Sequence, residues 1–271
     1  MTSLTRYTRI STLVGFCVVA ASGAYAQIGS INSAIIVPRV FNDIPGAVDN
    51  NNNSYPGSIT LSEANVTRVA AGGLNRDVWY FSNNGGATPY QFNAGDYFNA
   101  SFTLTLSGGE NNIDMEGGFL FSNPGGNFGG DDQIVIVGQG GNAGVEFQGG
   151  GPSFHLFAPN GTYINGTPIT LGFNYVVDPN TSMNAFQYSV NGVFGESSPG
   201  DTYFDLGAGQ FVGGAGDKLG GYFQIGNGDA NQAGQALFSD ISITSVVPEP
   251  STLALLGLGL LPLARLFRRR A

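Results

Sequence analysis

The chain has 271 residues, 19 of them acidic and 10 basic, and its formal net charge of −9 disfavours nucleic acid as a partner, because like charges repel phosphate. It contains one cysteine and one histidine, too few for an intrachain disulfide or a site built from several histidines. Glycine is abundant, with 43 residues, yet 12% of the chain is aromatic, which favours a folded domain over disorder.

The first 26 residues have the three parts of a secretory signal peptide. Arg6 and Arg9 form the positive region, residues 13–21 are the apolar core, and Ala24-Tyr25-Ala26 is a small-x-small cleavage site before Gln27. We therefore expect export through the Sec machinery and cleavage by signal peptidase after Ala26.

Cleavage changes the composition of what remains. It removes Cys17, so residues 27–246 offer no thiolate for a metal site or a nucleophile. This region has four basic residues against eighteen acidic ones, a net charge of −14. The basic residues are Arg39, Arg68, Arg76 and Lys218. Such an acidic domain could recruit Ca²⁺ through carboxylates, and we expect no other cofactor.

Residues 27–246 are expected to fold as one all-β domain, an antiparallel β-sandwich. The clearest strand spans Phe98 to Leu106, where apolar and polar residues alternate. Residues 186–190 alternate in the same way and meet Asn191-Gly192, a tight hairpin signal. Further strands are predicted over residues 35–40, 78–81, 119–121, 134–137, 154–157, 169–177, 222–225 and 241–244. One short helix is considered over residues 61–71.

From Asp96 onward the chain loosely resembles the concanavalin A-like, laminin G-like sandwich family. The resemblance is carried by the strand of residues 98–106, by Gly117 to Phe121, by Leu171 to Asp178, by Tyr188 to Gly192 and by Phe238 to Ile243. It implies a jelly roll of two packed antiparallel sheets and, often, binding of glycan or protein. Residues 27–95 fall outside the match and are expected to supply edge strands.

Residues 110–116 are the strongest candidate for catalysis. They resemble the Glu-x-Asp-x-Glu strand of laminarinase-type glycoside hydrolases, with Asn112, Asp114 and Glu116 at its three positions. In that family the first Glu is the nucleophile and the last is the acid/base. Asn112 stands at the nucleophile position, and an amide cannot form the glycosyl-enzyme intermediate. Glu110 lies two residues before Asn112, too far to replace the nucleophile while keeping the carboxyl pair of a retaining enzyme about 5 Å apart. We therefore expect no enzyme and no catalytic residue.

Other polar groups are interpreted as structural. His155 lies in an aromatic strand and has no second histidine as partner. Residues 229–240 place Asp229, Asn231, Gly234 and Asp240 at calcium-loop positions, but Ala233 breaks the pattern. Residues 213–217 are interpreted as a flexible turn. Several aromatics near Gly-rich segments are considered for glycan contact, although core packing is favoured for Trp79. They are Tyr55, Tyr90, Tyr97, Tyr163 and Trp79.

Three consecutive features occupy residues 247–271. Val247-Pro248-Glu249-Pro250 is followed by an uncharged, Leu-rich run and then by a cluster of arginines. The arginines are Arg265, Arg268, Arg269 and Arg270. Residues 251–267 would form about 25 Å of helix, a minimal membrane span with its arginines on the cytoplasmic side.

This order closely resembles the PEP-CTERM sorting signal of exported Gram-negative proteins. The resemblance implies recognition by an exosortase and a transient inner-membrane intermediate. It further implies cleavage near Pro248-Glu249-Pro250 and delivery to the cell surface or extracellular matrix. It implies nothing about the domain that precedes it.

Taken together, the sequence predicts a signal peptide at 1–26, a sandwich domain at 27–246 and a sorting tail at 247–271. The favoured function is a non-enzymatic matrix or biofilm protein that associates with extracellular polysaccharide. The alternatives are a protein-binding adhesin or scaffold and, less favoured, a degenerate glycoside hydrolase.

Overall fold

The computed structural model describes residues 28–67, 72–108, 114–122, 132–139, 145–149, 155–158, 163–214, 216–226 and 232–246. These ranges form sixteen β-strands and contain no α-helix. The first eight are β1 (Ser33–Asn42), β2 (Val48–Asp49), β3 (Asn52–Ser54), β4 (Ser58–Val66), β5 (Leu74–Ser82), β6 (Phe98–Gly108), β7 (Asp114–Ser122) and β8 (Asp132–Gln139). The others are β9 (Val145–Gly149), β10 (His155–Ala158), β11 (Ile169–Val177), β12 (Asn184–Val190), β13 (Val193–Phe194), β14 (Phe204–Asp205), β15 (Lys218–Gly226) and β16 (Gln232–Ser245).

The strands form two sheets in which every pairing is antiparallel. The seven-stranded sheet has the order β1-β5-β15-β7-β8-β9-β10. The nine-stranded sheet has the order β13-β12-β11-β6-β16-β4-β2, with β14 added beside β12 and β3 beside β4. The prediction of an all-β antiparallel fold is confirmed.

The core lies between the two sheets and is dominated by aromatic rings. In β6 the even-numbered residues from Phe98 to Leu106 are buried, as the alternation predicts. Phe102 of the nine-stranded sheet meets Phe119 of the other, with ring centroids 4.0 Å apart. Trp79 packs edge-on against Phe238, at 5.7 Å. Each fully buried ring contributes roughly 2 kcal/mol of hydrophobic free energy, so these contacts hold the sheets face to face.

The first third of the described chain enters both sheets and is not confined to their edges. β1 and β2 are edge strands, as expected for residues 27–95. β5, however, lies between β1 and β15, and β4 lies between β16 and β2. Residues 27–95 thus supply the expected edge strands and two interior strands as well, because β4 and β5 each pair on one side with a strand more than 130 residues later in the chain.

The prediction of a short helix over residues 61–71 is wrong for residues 61–67, the part of this segment that the structure describes. Residues 61–66 belong to β4, whose Ile59, Leu61 and Glu63 all point inward. Glu and Ala in this segment suggest a helix, but pairing with β16 on one side and β2 on the other overrides that local preference.

The hairpin predicted at Asn191-Gly192 is confirmed. Asn191 has φ 50° and Gly192 has φ 79°, the left-handed values that a type I′ turn requires at both central positions. The turn joins β12 to β13, and Val190 pairs directly with Val193.

Candidate functional site

The candidate site is the outer face of the seven-stranded sheet, meaning the face that points away from the other sheet. In β5, Trp79 and Phe81 point into the main core. Alternation therefore puts Arg76, Val78 and Tyr80 on the opposite side. Val78 and Tyr80 join a second, smaller apolar cluster with Leu120 of β7 and Tyr222 of β15.

A groove of about 480 Å³ runs over this outer face. Its volume is within the range of small-molecule sites in proteins. It crosses four neighbouring strands, β1, β5, β15 and β7. The lining residues are Val40, Phe41, Leu74, Arg76, Val78, Tyr80, Leu120, Ser122 and Gln224.

A row of polar side chains crosses the outer face. Strand register aligns Arg76 of β5 with Gln224 of β15, and Gln224 with Glu116 of β7. Arg76 Nε donates to Gln224 Oε1 at 2.6 Å, and Gln224 Nε2 donates to Glu116 Oε1 at 2.9 Å. Guanidinium, amide and carboxylate therefore form one hydrogen-bonded chain, which holds all three groups in fixed orientation.

Two tyrosine rings are each approached by a cation. The guanidinium carbon of Arg76 lies 5.4 Å from the centroid of the Tyr222 ring, and Lys218 Nζ lies 5.1 Å from that of Tyr80. Both distances are within the range of cation–π attraction.

Gly220 lets two strands approach closely in the middle of the face. It is aligned with Tyr80 on one side and Leu120 on the other, so a position without a side chain lies between two large ones. A Cβ there would clash with the backbone carbonyl of Trp79. The close approach of β15 to β5 thus requires glycine at this position.

A second polar cluster lies between the sheets and has a structural role. Arg39, at a bulge in β1, donates from Nε to Asp49 at 2.8 Å and from Nη2 to Glu63 at 3.2 Å. Its backbone N–H donates to Asp77 Oδ1 at 2.6 Å. Because Arg39 and Asp77 belong to one sheet and Asp49 and Glu63 to the other, the cluster ties the sheets together.

Burial raises the pKa of Glu63 to about 7, and nearby Asp77 adds to the rise, while the Arg39 guanidinium opposes it. Burial also raises the pKa of Asp77, although the Arg39 backbone N–H opposes that rise. In the part of the chain that the structure describes, no group of three or more His, Cys, Asp or Glu side chains could hold a metal ion.

The structure describes only some of the residues considered for catalysis. Asp114 and Glu116 begin β7, whereas Glu110 and Asn112 lie outside the described residues. Glu116 is placed on the outer face, where Gln224 is its partner. His155 begins β10, and its backbone pairs with Phe147 of β9.

The calcium loop considered over residues 229–240 is wrong for its described part. Gly234 and Asp240 both lie in the continuous strand β16. A calcium loop turns sharply at the glycine in its sixth position, whereas Gly234 lies in an extended strand that continues to Asp240. Asp229 and Asn231 lie outside the described residues.

The turn predicted over residues 213–217 is confirmed for its described residues. The backbone N–H groups of Gly213 and Gly214 both donate to Asp217 Oδ2 at 2.8 Å. Asp217 is fully buried, and burial raises the pKa of its carboxyl. Of the other acidic residues, Asp205 pairs through its backbone with β12, and Asp201 forms an isolated bridge with Ser198.

The aromatics considered for glycan contact are not surface platforms. Trp79 is fully buried in the core, as favoured. Tyr90 and Tyr97 are buried as well, and Tyr55 and Tyr163 are half-buried against the same core. The hydroxyl groups of Tyr90, Tyr97 and Tyr163 explain why these three lie near polar segments. Tyr163 Oη, for example, accepts from the Leu106 N–H at 2.9 Å and donates to the Thr167 carbonyl at 2.6 Å.

Sequence reasoning missed the groups that form the outer face. Arg76, Tyr80, Tyr222 and Gln224 carry no motif. The alternation around Trp79 is a signal that could have placed Arg76 and Tyr80 on one face. The pairing of β5 with β15, which brings Gln224 to Arg76, depends on register between segments about 150 residues apart.

The predicted sorting tail matches a known family. Residues 246–270 match the PEP-CTERM protein-sorting motif. Most of this segment, including the apolar run of residues 251–267, lies outside the described residues. Among the residues that are described, no helix has the length and apolar character needed to cross a membrane.

Comparison with proteins of curated function finds no match. Among solved structures, the chain is similar to the alginate lyase AlgAT5 from polysaccharide lyase family 7, with TM-score 0.39 and 10% identity over 72% of this chain and 81% of the lyase. It is similar to the carbohydrate recognition domain of Emp46p in its potassium-bound form, with TM-score 0.36 and 10% identity over 74% of this chain and 88% of that one.

A seed lectin of Lotus tetragonolobus gives TM-score 0.36 and 13% identity over 83% of this chain and 98% of the lectin. At TM-scores below 0.5, these likenesses identify no ligand for this chain. The C-terminal match is of a different kind, because it rests on the sequence itself: the chain carries a PEP-CTERM protein-sorting motif at residues 246–270, the signal for exosortase-mediated sorting of an exported protein to the cell surface.

Proposed function

We propose that the domain of residues 27–246 binds carbohydrate through its outer face and that the mature protein associates with extracellular polysaccharide. In this proposal residues 1–26 are a cleaved signal peptide. Residues 251–267 form the transmembrane helix on which exosortase acts, in the inner membrane of a Gram-negative cell. The released protein then takes part in the surface matrix or biofilm.

The groove over β1, β5, β15 and β7 is the observation that carries the proposal. Sugars present hydroxyl groups, which donate and accept hydrogen bonds, and apolar C–H faces, which pack on aromatic and aliphatic side chains. The groove offers both kinds of partner. Its polar side chains are Arg76, Gln224 and Ser122, and its exposed apolar side chains are Phe41 and Val40. Tyr80, Val78 and Leu120 are buried beneath them and form the floor of the groove.

The composition of the groove favours binding over hydrolysis. A glycoside hydrolase of the common type needs two carboxyl groups across the scissile bond. Among the described residues that line the groove, Arg76 is the one charged side chain. Glu116 lies at the end of the polar row, where its carboxylate accepts the Gln224 amide. We therefore propose a non-enzymatic role.

Binding to the producing strain's own exopolysaccharide tests this proposal. We expect the purified protein to bind, and Gln224→Ala to weaken binding about tenfold, which corresponds to about 1.4 kcal/mol and to the loss of roughly one hydrogen bond. Gln235→Ala is the matched control, since Gln235 is exposed on the nine-stranded sheet and bonds Ser107. A folded protein that binds no polysaccharide, or equal effects of the two variants, would contradict the proposal.

A protein-binding adhesin or scaffold is the second candidate, and one observation favours it. β13, at one edge of the nine-stranded sheet, exposes 67% of Val193 and 41% of Phe194. An apolar edge strand can pair with another chain. If this edge drives assembly, Val193→Lys should abolish self-association or partner capture measured by light scattering and crosslinking; unchanged assembly would rule the edge out.

A further inference from the structure

We propose that the ligand of the outer face is an acidic saccharide, one whose sugars carry carboxylates, and that Arg76 binds a carboxylate of that ligand. The inference rests on the proposed function and adds the ligand's chemical class. Two observations support this inference: two basic side chains of the domain lie on the outer face, and the Arg76 side chain is held in one orientation by Gln224 and Tyr222.

Positive charge is scarce in residues 27–246 and is concentrated on this face. Of the four basic residues there, Arg39 is paired with Asp49 and Glu63 between the sheets, and Arg68 lies outside the described residues. The remaining two, Arg76 and Lys218, both lie on the outer face. A region with a net charge of −14 thus presents these two cations beside its groove, which is complementary to an anion.

Arg76 is held in a fixed orientation. Its Nε bonds Gln224, and its guanidinium lies over the Tyr222 ring. A guanidinium that is already oriented loses little conformational entropy when a ligand binds. Its planar array of N–H donors matches the two oxygens of a carboxylate, and such charge-assisted bonds are about twice as strong as neutral ones.

The polar row also gives the ligand a direction. Gln224 stands between Arg76 and Glu116, so donors lie toward β5 and a carboxylate acceptor lies toward β7. Glu116 would repel a second anionic group at that side, whereas it can accept hydrogen bonds from sugar hydroxyl groups. A uronic acid fits this polarity, with its carboxylate at Arg76 and its hydroxyl groups toward Glu116.

Lys218 indicates that the ligand is an oligomer. Along β15 it is six residues from Gln224, the partner of Arg76, which corresponds to about 20 Å of strand. The buried rings of Tyr222 and Tyr80 lie beneath the face between these two positions. A single sugar is too small to contact both cations, whereas an oligosaccharide with a carboxylate on each sugar reaches both. Lys218 is therefore expected to contribute less than Arg76 and only with the longer ligands.

Calorimetry with the full-length protein tests the inference. The probes are galacturonate, glucuronate and mannuronate oligomers, each compared with its own methyl ester, which removes the charge and keeps the sugar. We expect at least one acidic oligomer to bind about tenfold or more tightly than its ester. Arg76→Gln should abolish that difference, Arg76→Lys should restore part of it, and Lys218→Gln should reduce it for long oligomers alone.

Two outcomes separate this inference from the proposed function. If the protein binds its strain's exopolysaccharide but binds every ester as tightly as the acid, the acidic ligand is wrong and carbohydrate binding stands. If it binds neither, both fail. Thermal unfolding of each variant is the control for folding. If Arg76→Gln does not fold, Arg76→Lys, which keeps the charge, is used in its place to measure the preference for acid over ester.

Discussion

Arg39 connects the two sheets through charge. Its guanidinium donates to Asp49, Glu63 and the Ala47 carbonyl, and 19% of the side chain is exposed. Removing one partner of a buried ion pair leaves the other charge without compensation, which typically costs about 3 kcal/mol or more.

We therefore expect Arg39→Met to lower the free energy of unfolding by about 3 kcal/mol. Urea titration monitored by the fluorescence of Trp79, the single tryptophan, measures it. Lys218→Met is the control: it removes a cation at the outer surface and should change stability by less than about 0.5 kcal/mol. Equal decreases in the free energy of unfolding of the two variants would show that the inter-sheet ion pairs do not stabilise the fold more than an exposed cation does.

Glu63 should make the protein less stable as pH rises. Folding raises the pKa of its carboxyl from an ordinary value near 4.5 to about 7, so between these values the folded state binds the proton more tightly than the unfolded state. The stability that this group contributes is complete below about pH 4.5 and is lost as pH rises to about 7. The raised pKa values of Asp77, Asp205 and Asp217 act in the same direction.

In Glu63→Gln the fall in melting temperature between about pH 4.5 and pH 7 should be shallower than in the parent chain. The amide keeps an oxygen that can accept from Arg39 and does not titrate. Calorimetric scans across this pH range measure the slope. Parallel slopes in the two proteins would assign the titration to other carboxyl groups.

At the scale of the strand, Gly220 decides whether β15 can lie beside β5. A methyl group there would meet the Trp79 backbone, which cannot move aside as a flexible side chain can. We expect Gly220→Ala to cost more than about 3 kcal/mol and to reduce the yield of folded protein. Gly29→Ala is the control, because the nearest atoms to its added Cβ are 3.7 Å away or more. Equal stability of the two variants, measured by thermal unfolding, would show that β15 can shift away from β5 without loss.

Strands were predictable where they obey a local rule. The alternation of Phe98 to Leu106 and the turn residues Asn191-Gly192 fix strand and hairpin by steric and conformational preferences that act within a few residues. The β4 segment was not predictable in this way, because its extended form depends on β16. The groove could not be predicted from the sequence for the same reason, since Arg76 and Gln224 are brought together only by the register of strands that are distant in the chain.

At the scale of the whole molecule, the sorting tail controls where the domain ends up. We expect loss of the cell's exosortase, or replacement of Pro248, Glu249 and Pro250 by alanine, to leave a larger form of the protein in the membrane fraction. Immunoblots of membrane and medium fractions measure this form. Leu260→Ile, a matched change within the apolar run, should be released normally. Normal release without exosortase would contradict the role of the motif.

The order of the strands has a consequence for export. β5 is flanked by β1, which precedes it, and by β15, which ends at Gly226. A chain that crosses the membrane from its N-terminus first cannot complete the seven-stranded sheet until residue 226 has emerged. By then only β16 and the sorting tail remain to follow. Folding is thereby postponed almost to the end of translocation. In the sorting route proposed above, the tail would hold the chain at the membrane while the sheets close.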